Sequence, residues 1–209
     1  MLLMSFTIIV LIFSIIIHEV AHGWAALALG DRTAKDAGRL TLNPVPHIYP
    51  IGSVLIPATL VLLQSGFMFG WAKPVPYNPY NLKNQRWGEA IVAIAGVATN
   101  LLIAVLFAII ARVAFGAGEQ VFAELAASVC LVNLFLGIFN LIPIPPLDGF
   151  GVLRGILPLS LGLRLREFEE KIQAGGIISL LVILFLFTQF LSAPFYKLVT
   201  WVFMSLLGQ

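Results

Sequence analysis

From Met1 to Gly30 the chain is apolar for at least the length of a membrane span, yet it carries three ionisable side chains, His18, Glu19 and His22. A hydrocarbon core about 30 Å thick requires about 20 apolar residues in helical form. Without water to satisfy it, the backbone of such a segment must hydrogen-bond within itself, so a helix is expected. Residues four apart on a helix share a face, which aligns the two imidazoles. The H-E-x-x-H spelling lets both histidines reach one Zn²⁺ at about 2.0–2.1 Å, while the glutamate addresses a water that the ion polarises. Inserting even one charged side chain into a bilayer costs roughly 2.5–3.5 kcal/mol on the most lenient scale, so an ionisable triplet there reads as functional.

The rest of the composition agrees with a membrane setting. Of 209 residues 60% are hydrophobic and only 11% charged, which excludes an ordinary soluble domain. That length has room for four to six spans, so a single domain over residues 1–209 with no attached soluble regulatory domain is expected. A net charge of +2 gives no reason to expect nucleic acid as a partner, and the basic residues serve instead as topology markers. Cys130 has no second cysteine to pair with. The N-terminal segment lacks the basic start of a cleaved signal, and cleavage would remove the metal motif, so it reads as a retained span.

Apart from the motif's own Glu19, uncharged stretches run over 1–28, 48–71, 90–111, 125–147 and 172–196, followed by a short apolar tail from Leu198 to Gln209. The first, third and fourth are long enough to span, and the fifth joins them. The second is interrupted by Pro50, Gly52, Pro57 and Gly66. If residues 51–65 dip into the membrane and return, the loops from Arg32 to Arg86 and from Arg154 to Lys171 share one side. Those loops hold ten of the twelve basic residues, leaving Arg112 and Lys197 opposite. A full crossing gives a much weaker bias. The positive-inside rule therefore favours a re-entrant or interfacial segment, an outside N-terminus and an active site nearer the cytosolic face. Non-helical backbone at that depth belongs beside protein or a water-filled cavity, which points to the site.

Between Ala37 and Leu42 the alternation predicts a short strand or hairpin before Asn43-Pro44. Leu153 to Lys171 is charged and Leu-rich, as in an amphipathic interfacial helix. Residues 194–207 fit a sixth short span or another interfacial helix. The expected fold class is an all-α polytopic membrane protein with about five to six membrane helices and a short β-hairpin or re-entrant segment after the first.

Two histidines leave a zinc short of at least one protein ligand. Asp31 and Asp36 lie in the loop after the first span, whereas Asp148 ends the run Asn140-Leu-Ile-Pro-Ile-Pro-Pro-Leu-Asp148-Gly149. Its three prolines prevent a regular helix, and an unwound backbone suits a carboxylate delivered sideways. The re-entrant topology also makes the first and fourth spans parallel, so that Asp148 and the histidines converge near one membrane face.

With His18-Glu19-Val20-Ala21-His22, the Gly70-Trp-Ala-Lys-Pro-Val-Pro76 stretch, Gly96 to Asn100, and Asn140 through Gly149, the chain resembles the site-2 protease family of intramembrane zinc metalloproteases in its minimal prokaryotic form. The landmarks follow the family's order and cover about residues 5–155. A core over 1–157 is thus set against C-terminal helices over 158–209, which resemble the family only in hydrophobicity. The resemblance implies one Zn²⁺ per chain held by His18, His22 and Asp148, with Glu19 as general base and Asn140 near the reacting carbonyl. Asn140 would donate a hydrogen bond to the developing oxyanion. Asn100 and Asn133 fit either a functional role or helix–helix hydrogen bonding.

The chain departs from the family where Gly96-Val97-Ala98-Thr99-Asn100 lacks a proline after its glycine, where Phe150 follows Asp148-Gly149, and where His47-Ile48-Tyr49 replaces His-Ile-Asp. His47 is accordingly a weak site candidate. The implied substrate is a transmembrane protein or peptide, cut near the cytosolic face of the prokaryotic plasma membrane after local unwinding, as in regulated intramembrane proteolysis. A strand over Gly38 to Leu42 would hold the extended peptide as an added strand. A regulatory membrane partner of unknown identity is compatible with this reading. The alternatives are a membrane metal-ion transporter, a prenyl-protein-processing type of zinc protease, for which no second acidic motif is present, and an inactive relative, against which the intact motif speaks.

Overall fold

The computed structural model describes residues 2–55, 58–59, 62, 72–84 and 87–208, and the described residues form helices and irregular connections with no strand. Among the described residues, the helices whose bounds are complete follow one another as α1 (Leu2–Ala28), α2 (Thr33–Asp36), α3 (Gly88–Gly116), α4 (Gln120–Asn140), α5 (Asp148–Ile156), α6 (Leu159–Ala174), α7 (Gly176–Leu186) and α8 (Ser192–Leu207). A π-helical turn over Phe187–Leu191 joins α7 to α8.

Four stretches are long and apolar enough to cross a membrane: Leu3–Ala28, Gly88–Gly116, Gln120–Asn140 and Gly176–Leu207. The described residues thus offer four candidate spans where five to six were expected. The fifth apolar stretch and the tail merge, because Pro194 falls in the first turn of α8, where a missing N–H interrupts nothing. Residues 50–55 form a single π-helical turn. Of the expected re-entrant segment, 51–65, residues 56–57, 60–61 and 63–65 lie outside the described residues.

Chain reversals are encoded locally. α1 ends where Gly30 takes φ +106°, with Gly30 N–H donating to Leu27 O and Asp31 N–H to Ala26 O, the paired closure of a Schellman motif. Gly118, at φ +80°, closes α3 in the same manner, with Glu119 N–H donating to Ala114 O. The short turn that follows sends α4 back along α3.

α3 is the central element, packed against α1, α4, α5 and α8. Its buried residues include Ala90, Ala93, Gly96, Val97, Asn100, Ala104, Ala108 and Ala111, a small-residue stripe at helical spacing. In a membrane, where lipid is as apolar as leucine, close backbone approach along such a stripe supplies the packing attraction. On its far half, Ala104 and Ala108 meet Cys130 and Leu134 of α4 and Phe195 and Val199 of α8. Phe195 packs edge-on against Phe135, with ring centroids 5.0 Å apart.

The expected strand over residues 37–42 is not formed; they are turn and irregular backbone. Gly38 adopts φ +65°, and Arg39 turns inward to donate from Nη2 to Lys73 O at 2.8 Å. Alternation alone does not hold a strand that has no neighbour to pair with.

Residues 72–84 instead form a strap fixed to the end of α1. Buried Asp31 accepts from Thr33 N–H and Oγ1, from Asn78 N–H at 2.8 Å and from Asn81 Nδ2 at 2.9 Å. Burial pushes the Asp31 carboxyl up, but these donors outweigh it and hold its pKa below the ordinary value. Asp31 is thereby a loop anchor.

Candidate metal centre

His18 and His22 lie one turn apart on the face of α1 that meets α3, and both are buried. Their Nε2 atoms are 3.0 Å apart and the rings are perpendicular, with centroids 4.6 Å apart. The third group comes from a distant part of the chain. After α4, Pro143, Pro145 and Pro146 carry the backbone through an irregular turn that includes a cis peptide between the last two, and α5 begins at Asp148.

Gly149 makes this entry fit, because a Cβ there would collide with the backbone carbonyls of Leu141 and Ile142. Asp148 then reaches His18 Nε2 with Oδ2 at 2.9 Å and His22 Nε2 with Oδ1 at 3.4 Å. One ligand atom from each of the three residues lies within 4.8 Å of the others.

The chemistry of these atoms can be tested against a cation. His22 Nδ1 is 2.7 Å from Val92 O, which only accepts, so Nδ1 carries the proton and the neutral ring presents Nε2 as a lone pair. Asp148 Oδ2 is buried and has no hydrogen-bond partner despite its closeness to His18. An imidazole lone pair and an orphaned carboxylate oxygen facing one point are what a zinc ion requires and what a hydrogen-bonded core avoids.

The room for the rings is also built in. A Cβ on Gly96 of α3 would come within 2.6 Å of His22 Cε1 and Nε2 and 2.7 Å of His18 Cε1. The residues therefore fit the metal that the motif implies.

Glu19 lies between the two histidines on α1, and its Oε2 accepts from Val75 N–H of the strap at 2.8 Å. Asn140, at the end of α4, donates from Nδ2 to Leu136 O one turn back at 3.0 Å. His47 is placed elsewhere: it is buried in the loop before residue 50 and its Nε2 donates to Thr41 O at 2.9 Å. Asp36 is exposed, beside Arg32.

Of two further features, the sequence offered the first as amides with either a functional or a helix-joining role and left the second unseen. Behind His18, the buried amides of Asn100 and Asn133 run to Ser14. At the other end of α5, Arg154 donates from Nε to Glu89 of α3 at 2.7 Å and pairs with Glu169 of α6, while Arg166 pairs with the same Glu89. This cluster ties the helix bearing Asp148 to its neighbours. A glutamate at the very start of an apolar helix, with arginines in two later short helices, was its only sequence signal.

Buried imidazoles on a membrane-length helix, joined by a carboxylate from a second helix, define a multi-pass membrane protein with a candidate zinc-type centre. Residues 6–129 and 116–186 match Peptidase family M50, and the chain belongs to that family. It is 35% identical over 175 residues, 80% of this chain and 76% of the relative, to the "Putative zinc metalloprotease YwhC" of Bacillus subtilis (strain 168). It is also 30% identical over 190 residues, 91% of this chain and 70% of the relative, to the "Putative zinc metalloprotease Rip2" of Mycolicibacterium smegmatis (strain ATCC 700084 / mc(2)155). No solved structure matches the chain.

Proposed function

We propose that this chain is an intramembrane zinc metalloendopeptidase of the site-2 protease type, in which His18, His22 and Asp148 hold one zinc ion and Glu19 is the general base. The observation that carries this reading is the meeting of Asp148 with two imidazoles from which it is separated by more than a hundred residues. When bound, zinc supplies Lewis-acid polarisation of water and of the scissile carbonyl.

The remaining chemistry belongs to the chain. Glu19 takes a proton from water at Oε1, the oxygen opposite the one engaged by Val75 N–H. The water oxygen bonds to the carbonyl carbon, Glu19 returns the proton to the amide nitrogen, and the C–N bond breaks to leave a carboxylate and an amine. Asn140 stabilises the developing oxyanion once its Nδ2 is released from Leu136 O.

The substrate class follows from the setting. A centre within membrane-length helices acts on a peptide that enters the bilayer, and a helical substrate must unwind there because its amides are shielded. The reading includes a cytosolic-side site in the plasma membrane and one domain whose core is 1–157. A transport pathway distributes polar groups across several spans; here the donors gather at one helix and one proline-rich turn, so the transporter reading is not favoured.

The test is Glu19→Gln beside Asp148→Ala in the purified full chain. Glu19→Gln should keep zinc and lose cleavage of a membrane-embedded substrate, whereas Asp148→Ala should lose both. Cleavage at the wild-type rate by Glu19→Gln would overturn the base assignment.

A further inference from the structure

The three most deeply buried amide and hydroxyl side chains of the helix bundle, Ser14, Asn100 and Asn133, form one hydrogen-bonded line that ends on His18. They come from α1, α3 and α4, and the two asparagines have no exposed surface. Buried amides in spans usually join helices. This line has a direction as well, and the direction can be read from an acceptor at its far end.

Asn133 Nδ2 lies 3.0 Å from Val129 O and 2.9 Å from Ser14 Oγ. A backbone carbonyl only accepts, so the NH₂ of Asn133 faces Val129 and its Oδ1 faces Asn100. Asn100 Nδ2 donates to that oxygen at 2.9 Å. Asn100 must then present Oδ1 to His18 Nδ1, at 2.5 Å. His18 Nδ1 is accordingly the donor, and in the neutral imidazole Nε2 is left as a lone pair 2.9 Å from Asp148 Oδ2 and 3.0 Å from His22 Nε2.

We propose that Asn133 and Asn100 are positioning residues that set the tautomer of His18, keeping its Nε2 free to bind the metal. The inference rests on the zinc reading of the centre given above. Val92 O does for His22 directly what this line does for His18 through two side chains. An asparagine can rotate its amide by half a turn and offer NH₂ instead, which would force the wrong tautomer on His18; the contact with Asn133 removes that freedom. The Val129 carbonyl, fixed in α4, is the reference from which the polarity is passed on.

The experiment measures zinc affinity by chelator competition on the full chain in detergent, for wild type, Asn100→Leu, Asn100→Asp, Asn133→Leu and the double variant Asn100→Asp/Asn133→Leu. Asn100→Leu should weaken zinc about 10–100-fold, the usual effect of losing the group that orients a ligating histidine. Asn133→Leu should weaken it by about tenfold, since the amide of Asn100 is then free to turn. Asn100→Asp should stay within about threefold of wild type, because either carboxylate oxygen accepts from Nδ1.

The decisive arm is the double variant. A carboxylate has no wrong orientation, so the penalty of Asn133→Leu should vanish in the Asn100→Asp background. An equal penalty in both backgrounds, or an Asn100→Leu protein that binds zinc like wild type, overturns the proposal.

Wild type without tight zinc binding would instead remove the metal reading itself. If the leucine variants lose their helical circular dichroism, the zinc-loaded wild type carries the test by NMR. The His18 Nδ1 proton should then be protected from solvent exchange, and exchange at the rate of an exposed imidazole overturns the proposal.

Discussion

Gly96→Ala is the smallest change that tests how tightly the helices hold the two imidazoles. The added methyl group would lie 2.6 Å from two atoms of the His22 ring and 2.7 Å from His18 Cε1, where ordinary contact begins at 3.4 Å. Relief therefore needs a movement of about 0.8 Å, four times the roughly 0.2 Å tolerance of a metal–ligand distance. Neither ring can swing aside without giving up its outer partner, Asn100 for His18 and Val92 for His22. Overpacking of this kind costs about 1–3 kcal/mol, which corresponds to about 5–150-fold in an equilibrium constant. The expected result is a zinc affinity lowered by that factor. Helicity of the zinc-free protein should be kept, because alanine favours a helix over glycine by roughly 0.5–1 kcal/mol. Chelator competition and circular dichroism on the same samples separate the two effects. Zinc affinity within twofold of wild type would show that the rings are not confined by α3 as described.

Gly149→Ala should displace the first turn of α5, since its Cβ meets backbone carbonyls that cannot rotate away; lost zinc together with a lower melting temperature is the expected readout. Asp31→Ala should loosen the strap over residues 72–84 by removing the acceptor of Asn78 N–H and Asn81 Nδ2, at roughly 0.5–1.5 kcal/mol per hydrogen bond, and faster proteolysis there would report it. Because the Asp31 carboxyl is held below its ordinary value of 3.8, its stabilisation is complete above that range and is lost as pH falls through it. Asp31→Asn should therefore flatten the acid limb of the stability profile, and an unchanged limb would remove Asp31 as its source.

What could be read in the sequence was whatever is local. Hydropathy over a window gives α1, α3 and α4, and a four-residue spacing places His18 and His22 on one face. Asp148 was legible because three prolines exclude a helix just before it. The alternation over residues 37–42 misled, since a strand depends on a partner that a six-residue pattern cannot reveal, and Arg39 found the Lys73 carbonyl instead. The joining of the last two apolar stretches escaped for a related reason: Pro194 reads as a break until its place in the first turn of a helix is known. Asn100, Asn133 and Gly96 take their meaning from contacts between helices, and residue spacing along one chain carries no trace of which amide faces which ring.

The entry of Asp148 through α5 also fixes when the centre can exist. α1 alone presents two nitrogen donors, and nothing in the chain before residue 148 completes them with this carboxylate. A fragment ending at Asn140 would own the signature motif in full and still be unable to assemble the triad. Completion waits for the proline turn to be made and for α5 to dock against α3, so a bound ion would report the tertiary fold as a whole, never the first span by itself.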